Sequence, residues 1–294
     1  MTNLILRERL QQFLLTALLG VAMLALLLWT GWQVLGTYGL LIFGGVGLLF
    51  FVLAARRSPS ALLANGIPVR YADAPEIHRI VHNLARRAEL PATPRLYYLP
   101  TPVMNALTIG TRGDAVIMLT QGLITRLTAR ELEGVIAHEI GHLRNNDLRL
   151  FALSQYLREA TDFISRFGWL LLLFSLPLMV VSHVAISAGA VFALLAAPLL
   201  SMVLQLALLR TREFSADLAA AELTEDPDGL ASALRKLENP RSSIFDYFFP
   251  VVRRRDSSLF RTHPATEERI RRLDELTTDR SHWGLPPKIS GYRY

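Results

Sequence analysis

The sequence predicts an α+β integral membrane protein: four transmembrane helices in two hairpins, joined to a cytoplasmic, mostly helical domain with a small antiparallel sheet. Three observations carry this. Leu10 to Ala55 contains no charged residue, and Phe167 to Leu209 contains one titratable side chain, His183. Each block is about twice the roughly 20 residues that cross a bilayer, so each reads as two spans. Between and after the blocks lie polar segments with helical periodicity and short β-prone runs. The mean hydropathy of +0.31 over 294 residues, half of them apolar, fits a membrane protein better than a soluble enzyme.

The first block, 10–55, forms spans near 13–32 and 35–54, with Gly36 at the turn. Its apolar length exceeds the roughly 7 to 15 residues of a signal-peptide core, and a second span follows at once. The second block, 167–209, forms spans near 168–187 and 190–209, with Gly189 near the turn. Arg7, Arg9, Arg56, Arg57, Arg166, Arg210 and Arg212 flank the blocks, whereas the two turns carry no Lys or Arg. By the positive-inside rule both termini and both polar segments, 56–166 and 210–294, face the cytoplasm.

Within 56–166, Ala74 to Glu89 reads as an amphipathic helix with Ile77, Ile80, Val81 and Leu84 on one stripe. Three β-prone runs follow, at 96–99, 104–109 and 115–119, separated by Pro100, Pro102 and the Thr111-Arg112-Gly113-Asp114 turn, and they predict the antiparallel sheet. Thr128 opens the next helix as N-cap, with Glu131 as its capping-box partner. Asn145-Asn146 predicts a break, because a straight helix from His142 to Arg166 would climb about 36 Å. Pro264 to Leu276 reads as the final helix. Residues 242–258, with Phe245, Tyr247, Phe248 and Phe249 beside Arg253 to Arg255, have no clear period and suit a loop that gates a cleft or touches lipid.

The motif helix carries His138-Glu139-Ile140-Gly141-His142. Residues i and i+4 share a helix face, so both imidazoles can hold one metal while Glu139 stays free to act as base on a water. His78 and His82 share this spacing, but Arg79 stands between them in place of a glutamate, so they read as ordinary helix-face residues. A catalytic zinc takes three protein ligands. Glu213, just past the last span, is the candidate third, and Asp217, one turn on, the group that fixes a ligating imidazole. Asp147 is a weaker candidate for the same role, against a surface pair with Arg144. His263 is either an oxyanion stabiliser or the residue before Pro264 at a helix start. The lack of cysteine excludes a thiolate site and a disulfide framework. The net charge of +6 lies largely at membrane flanks and in Arg253 to Arg255, which implies the lipid bilayer as partner and no nucleic acid.

The membrane hairpin, His-Glu-Ile-Gly-His, the second hairpin and then Glu213-Phe214-Ser215-Ala216-Asp217 together resemble the HtpX-type membrane zinc metalloproteases, relatives of the CaaX prenyl proteases. Asn105-Ala106 and His263-Pro264 extend the resemblance over nearly the whole chain, and Leu107 departs from it where relatives often have Phe. The resemblance implies a zincin domain of gluzincin type and a zinc metalloendopeptidase of the cytoplasmic membrane. It also implies one Zn2+ per chain, Glu139 as catalytic residue, polypeptide substrates including membrane or misfolded proteins, a role in protein quality control, and an edge-strand place for Asn105 beside the substrate. A peptidase of lipidated C-terminal peptides and a non-catalytic zinc-binding membrane scaffold are the alternatives.

Overall fold

The computed structural model describes residues 2–54, 66–182, 187–237 and 266–282. His183, His263, Pro264 and the 242–258 segment lie outside the described residues, as do Arg56 and Arg57. The elements run α1 (Thr2–Leu35), α2 (Thr37–Ala54), β1 (Ile67–Pro68), α3 (Pro75–Arg87), β2 (Arg95–Leu99), β3 (Ala106–Thr111), β4 (Asp114–Thr120), α4 (Gln121–Arg126), α5 (Ala129–Arg144), α6 (Asp147–Ser182), α7 (Ala188–Thr224), α8 (Pro227–Leu237) and α9 (Thr266–His282). The fold is mostly helical, and it divides into two units. One comprises residues 1–9, 58–148 and 212–294, the other residues 10–57 and 149–211.

In the second unit, Gly36 separates α1 from α2 at φ +60°, a left-handed value that costs a glycine little. Met23, Leu27, Phe43, Leu157, Ile164 and Leu208 form its buried core. Outside it Phe13, Leu18, Phe174, Leu199 and Val203 stay exposed, the surface expected where lipid is the solvent. Among the described residues, two helices, within Leu10–Leu35 and Ala188–Thr224, are long and apolar enough to cross a membrane. Gln205 Nε2 donates to Gln155 Oε1 at 2.9 Å, tying α7 to α6.

The first unit holds the sheet. Its strand order is β1-β2-β4-β3; β3 and β4 form an antiparallel hairpin, but β2 and β4 run parallel. The sheet is therefore mixed, which corrects the antiparallel expectation. The reason is the reach of one loop. Residues 100–105 cross two strand spacings, about 10 Å, so the hairpin folds back into the slot beside β2. Gly122 lets this loop pass: a Cβ there would strike the carbonyl of Pro102. The short strand β1 adds an antiparallel edge on β2, and β3 forms the other edge.

Helix α3 buries Val81 and Leu84 against the sheet and α5. The capping box at α5 forms in both halves. Thr128 N–H donates to Glu131 Oε2 at 2.8 Å, and the Glu131 N–H donates to Thr128 Oγ1 at 3.3 Å. Glu131 also accepts from Ser232 at 2.7 Å and Lys236 at 2.6 Å, so the same carboxylate caps α5 and fastens α8. At the far end the break falls where the asparagines predict it. Asn145 closes α5, Asn146 steps through φ +57°, and Asp147 begins α6; asparagine tolerates that left-handed step better than most residues.

Candidate metal centre

Two helices deliver the three expected ligands, and small residues let them meet. A Cβ on Gly141 would lie 3.0 Å from the Ala216 carbonyl and 3.1 Å from the Ala219 methyl. The Gly of the motif therefore lets α5 and the end of α7 approach closely, one turn from Glu213. His138 and His142 stand on the facing surface of α5, and Glu213 and Asp217, four residues apart, stand on that of α7.

The three expected ligands converge. The Nε2 atoms of His138 and His142 lie 3.2 Å apart, and each is 3.7 Å from a Glu213 carboxylate oxygen. Tetrahedral bonds of about 2.05 Å separate their donors by about 3.3 Å, so two nitrogens and the Glu213 carboxylate stand at spacings one small divalent cation can close. The opposite ring nitrogens are occupied. His138 Nδ1 is 2.9 Å from Asp217 Oδ1, and His142 Nδ1 is 2.8 Å from Asp147 Oδ2. Each carboxylate accepts the Nδ1–H, so in the neutral form of either ring Nε2 is the lone-pair donor.

Of the two readings of Asp147, the bond to a motif imidazole holds and the surface pair with Arg144 does not. Asp147 is buried, bonded to His142 and paired with Arg212, while Arg144 pairs instead with Glu222 at 2.9 Å. The left-handed turn at Asn146 swings Asp147 back under the motif and leaves Arg144 facing α7.

Arg269, on α9, was not read from the sequence. It is 7% exposed and grips Asp217 with two bonds, Nε to Oδ2 at 2.7 Å and Nη2 to Oδ1 at 2.6 Å, while Nη1 lies 3.0 Å from Glu213 Oε2. Its signal was present: Arg269 stands four residues before the fully buried Leu273, a charge on the apolar stripe of an amphipathic helix. Around the two imidazoles stand four carboxylates, Glu139, Asp147, Glu213 and Asp217, against two guanidiniums, Arg212 and Arg269. Among the described residues the set carries two surplus negative charges, which a divalent cation balances. The same surplus acts on His142. Burial alone would lower its pKa, but the Asp147 hydrogen bond and the charges of Glu213, Asp147 and Glu139 outweigh that and push it up to about 9.

Glu139 is only partly buried and accepts a hydrogen bond of 2.6 Å from Thr108 Oγ1, on β3. Asn105, immediately before β3, spends its backbone on β4: Thr120 N–H donates to its carbonyl at 3.1 Å, and its own N–H donates to Thr120 Oγ1 at 2.9 Å. The β3–β4 register holds from Ala106↔Leu119 to Thr111↔Asp114. By antiparallel alternation the odd-numbered residues of β3 bond to β4, and the backbone groups of Ala106 and Thr108 face the edge that no strand pairs among the described residues. His78 and His82 bond instead to Val69 O at 3.0 Å and Thr93 Oγ1 at 3.4 Å, as ordinary helix-face residues do.

The chain is similar to known proteins. The model of peptidase family M48 matches residues 71–277. The Protease HtpX homolog of Acaryochloris marina is 39% identical over 228 residues, covering 71% of this chain and 74% of its own. Those of Syntrophobacter fumaroxidans and Pyrococcus abyssi are each 35% identical over 279 residues, covering 89% and 90% of this chain and 98% and 96% of theirs. The crystal structure of S. mikatae Ste24p aligns with a TM-score of 0.46 at 17% identity, over 93% of this chain and 67% of that one.

Proposed function

The chain belongs to peptidase family M48 and is a membrane metalloprotease; from that premise we propose that it is a zinc endopeptidase whose site opens on the cytoplasmic face. Four spans, 13–32, 35–54, 168–187 and 190–209, carry the polar segments 56–166 and 210–294 that build the site. Its substrates are membrane or misfolded proteins, and its role is protein quality control. The arginine flanks and the uncharged turns support that orientation.

One observation carries the chemistry: two Nε2 atoms and the Glu213 carboxylate at tetrahedral spacing, with Glu139 on the next residue of the same helix. His138, His142 and Glu213 hold one zinc, and Asp217 and Asp147 keep both rings in the ligating tautomer. Zinc, when bound, supplies a Lewis acid that polarises a peptide carbonyl and acidifies water. Glu139 takes the proton of the attacking water and returns it to the leaving amine. The open edge of β3 aligns an extended substrate through Ala106 and Thr108, with Asn105 at the start of that strand. His263, which in the sequence follows a stretch without helical period, is proposed as the oxyanion donor.

The test is metal content and chelator-sensitive proteolysis of the protein in detergent. Wild type should hold one zinc per chain and lose cleavage to a chelator. Glu213→Ala should weaken zinc binding by at least about 100-fold, because two imidazoles alone make an incomplete site. Stoichiometric zinc with unchanged affinity in that variant would remove Glu213 from the ligand set.

His142 adds a pH dependence. Its folded pKa stands above the ordinary 6.5, so in metal-free protein its contribution to stability is complete below about pH 6.5. That contribution is lost as pH rises through about 9. Metal must displace this proton. Uptake at pH 7 should release about one proton per site, and affinity should rise roughly tenfold per pH unit up to about 9. Calorimetric heats that do not vary with the buffer's ionisation enthalpy would contradict this.

A further inference from the structure

Thr108 is a polar residue in an apolar row. Its side chain shares the inner face of the sheet with Ala106 and with Ile117, its partner across β4, and both belong to the main core. At 4% exposure its hydroxyl has lost water and must bond within the protein. It donates to Glu139 Oε2 at 2.6 Å, the short distance of a bond to a charged acceptor. A valine or alanine would fill the same row without a buried hydroxyl, so packing alone does not account for threonine here.

We propose that Thr108 is a positioning residue for the peptidase reaction: its hydroxyl anchors Glu139 Oε2 and leaves Oε1 as the oxygen that accepts the proton. This rests on the reading of Glu139 as the base. Thr108 keeps its own proton throughout. The water proton moves to Oε1 as the water oxygen bonds the scissile carbon, and from Oε1 to the amine nitrogen as the C–N bond breaks. Thr108 also offers its backbone to the open edge of β3, so one residue joins substrate seating to the placement of the base. A substrate strand that docks on β3 thus meets a carboxylate already held in one orientation.

Four full-length proteins in detergent test this: wild type, Thr108→Val, Thr108→Ser and Glu139→Gln, with a fluorogenic peptide whose cleavage by wild type is chelator-sensitive. Valine keeps the β-branched shape and removes the hydroxyl; serine keeps the hydroxyl. Thr108→Val should lower kcat by about 10- to 100-fold, the scale of a charge-assisted hydrogen bond. Its KM, zinc content and melting temperature should stay near wild type, and Thr108→Ser should recover most of kcat. Adding Thr108→Val to Glu139→Gln should cost nothing further. Wild-type kcat in Thr108→Val, loss of its zinc, or equal impairment of valine and serine would overturn the proposal. If Glu139→Gln cleaves normally, the base assignment fails and takes the proposal with it. An inactive Glu139→Gln beside a fully active Thr108→Val removes the Thr108 role alone.

Discussion

Glu139→Ala should keep one zinc per chain and lose peptide cleavage by about 10³-fold. On the proposed reading the two readouts separate, because the residue is adjacent to the proposed metal site without belonging to it. The three converging groups are His138 Nε2, His142 Nε2 and the Glu213 carboxylate, whereas Glu139 accepts a hydrogen bond from Thr108 on β3. Removing the carboxylate leaves the imidazole tautomers untouched, since Asp217 and Asp147 set them. What disappears is the proposed proton acceptor, and general base catalysis contributes typically 10²- to 10⁴-fold. The alanine also strands the buried Thr108 hydroxyl, at a cost of about 1 to 3 kcal/mol. Glu139→Gln is therefore the stricter variant, because its amide oxygen can still accept from Thr108. Metal analysis and cleavage rates on both variants decide the matter, and undiminished cleavage in either refutes the role of the residue.

How far the site was legible follows from how local each contact is. His138, Glu139 and His142 lie within one turn and a half of helix, where spacing alone sets geometry. Glu213 and Asp217 were reachable by asking for a third ligand and its neighbour four residues on. The capping box and the break at Asn145-Asn146 were equally local. Asp147 stayed open between His142 and Arg144 because a single left-handed residue decides which neighbour it meets, and no periodicity records that step. The sheet was misjudged for a related reason. The β-prone runs were found, but the parallel pairing of β2 and β4 depends on how far residues 100–105 reach, not on any strand's own pattern. Thr108 and Arg269 are the furthest from local reading. Thr108 meets a partner 31 positions away and Arg269 one 52 positions away. Each nevertheless left the same trace, a polar side chain on the apolar face of its element, where burial demands a partner of opposite character.

That demand gives the largest expected loss of stability, from Arg269→Met. Methionine has comparable length and fills much of the same space, so the change removes charge and hydrogen bonds more than volume. Asp217 would then stand 4% exposed without the two bonds of 2.7 and 2.6 Å that balance it, and Glu213 would lose its contact of 3.0 Å. Removing one partner of a buried ion pair costs about 3 to 5 kcal/mol, because the remaining charge is left uncompensated. Metal-free protein should therefore melt well below wild type. Zinc should narrow the difference, since a divalent cation beside Glu213 and His138 restores part of the missing positive charge, beyond the mass-action stabilisation that wild type also receives. Asp217→Asn in the same chain should recover part of the loss in the metal-free state, because it removes the stranded charge, and the two changes should couple by more than about 1 kcal/mol. A rim contact would behave differently. Exposed pairs contribute about 0 to 1 kcal/mol and depend little on the partner's identity. If Arg269→Met melts within about 1 kcal/mol of wild type without metal, or if Asp217→Asn adds to the damage, the four carboxylates around the imidazoles are balanced by something other than α9.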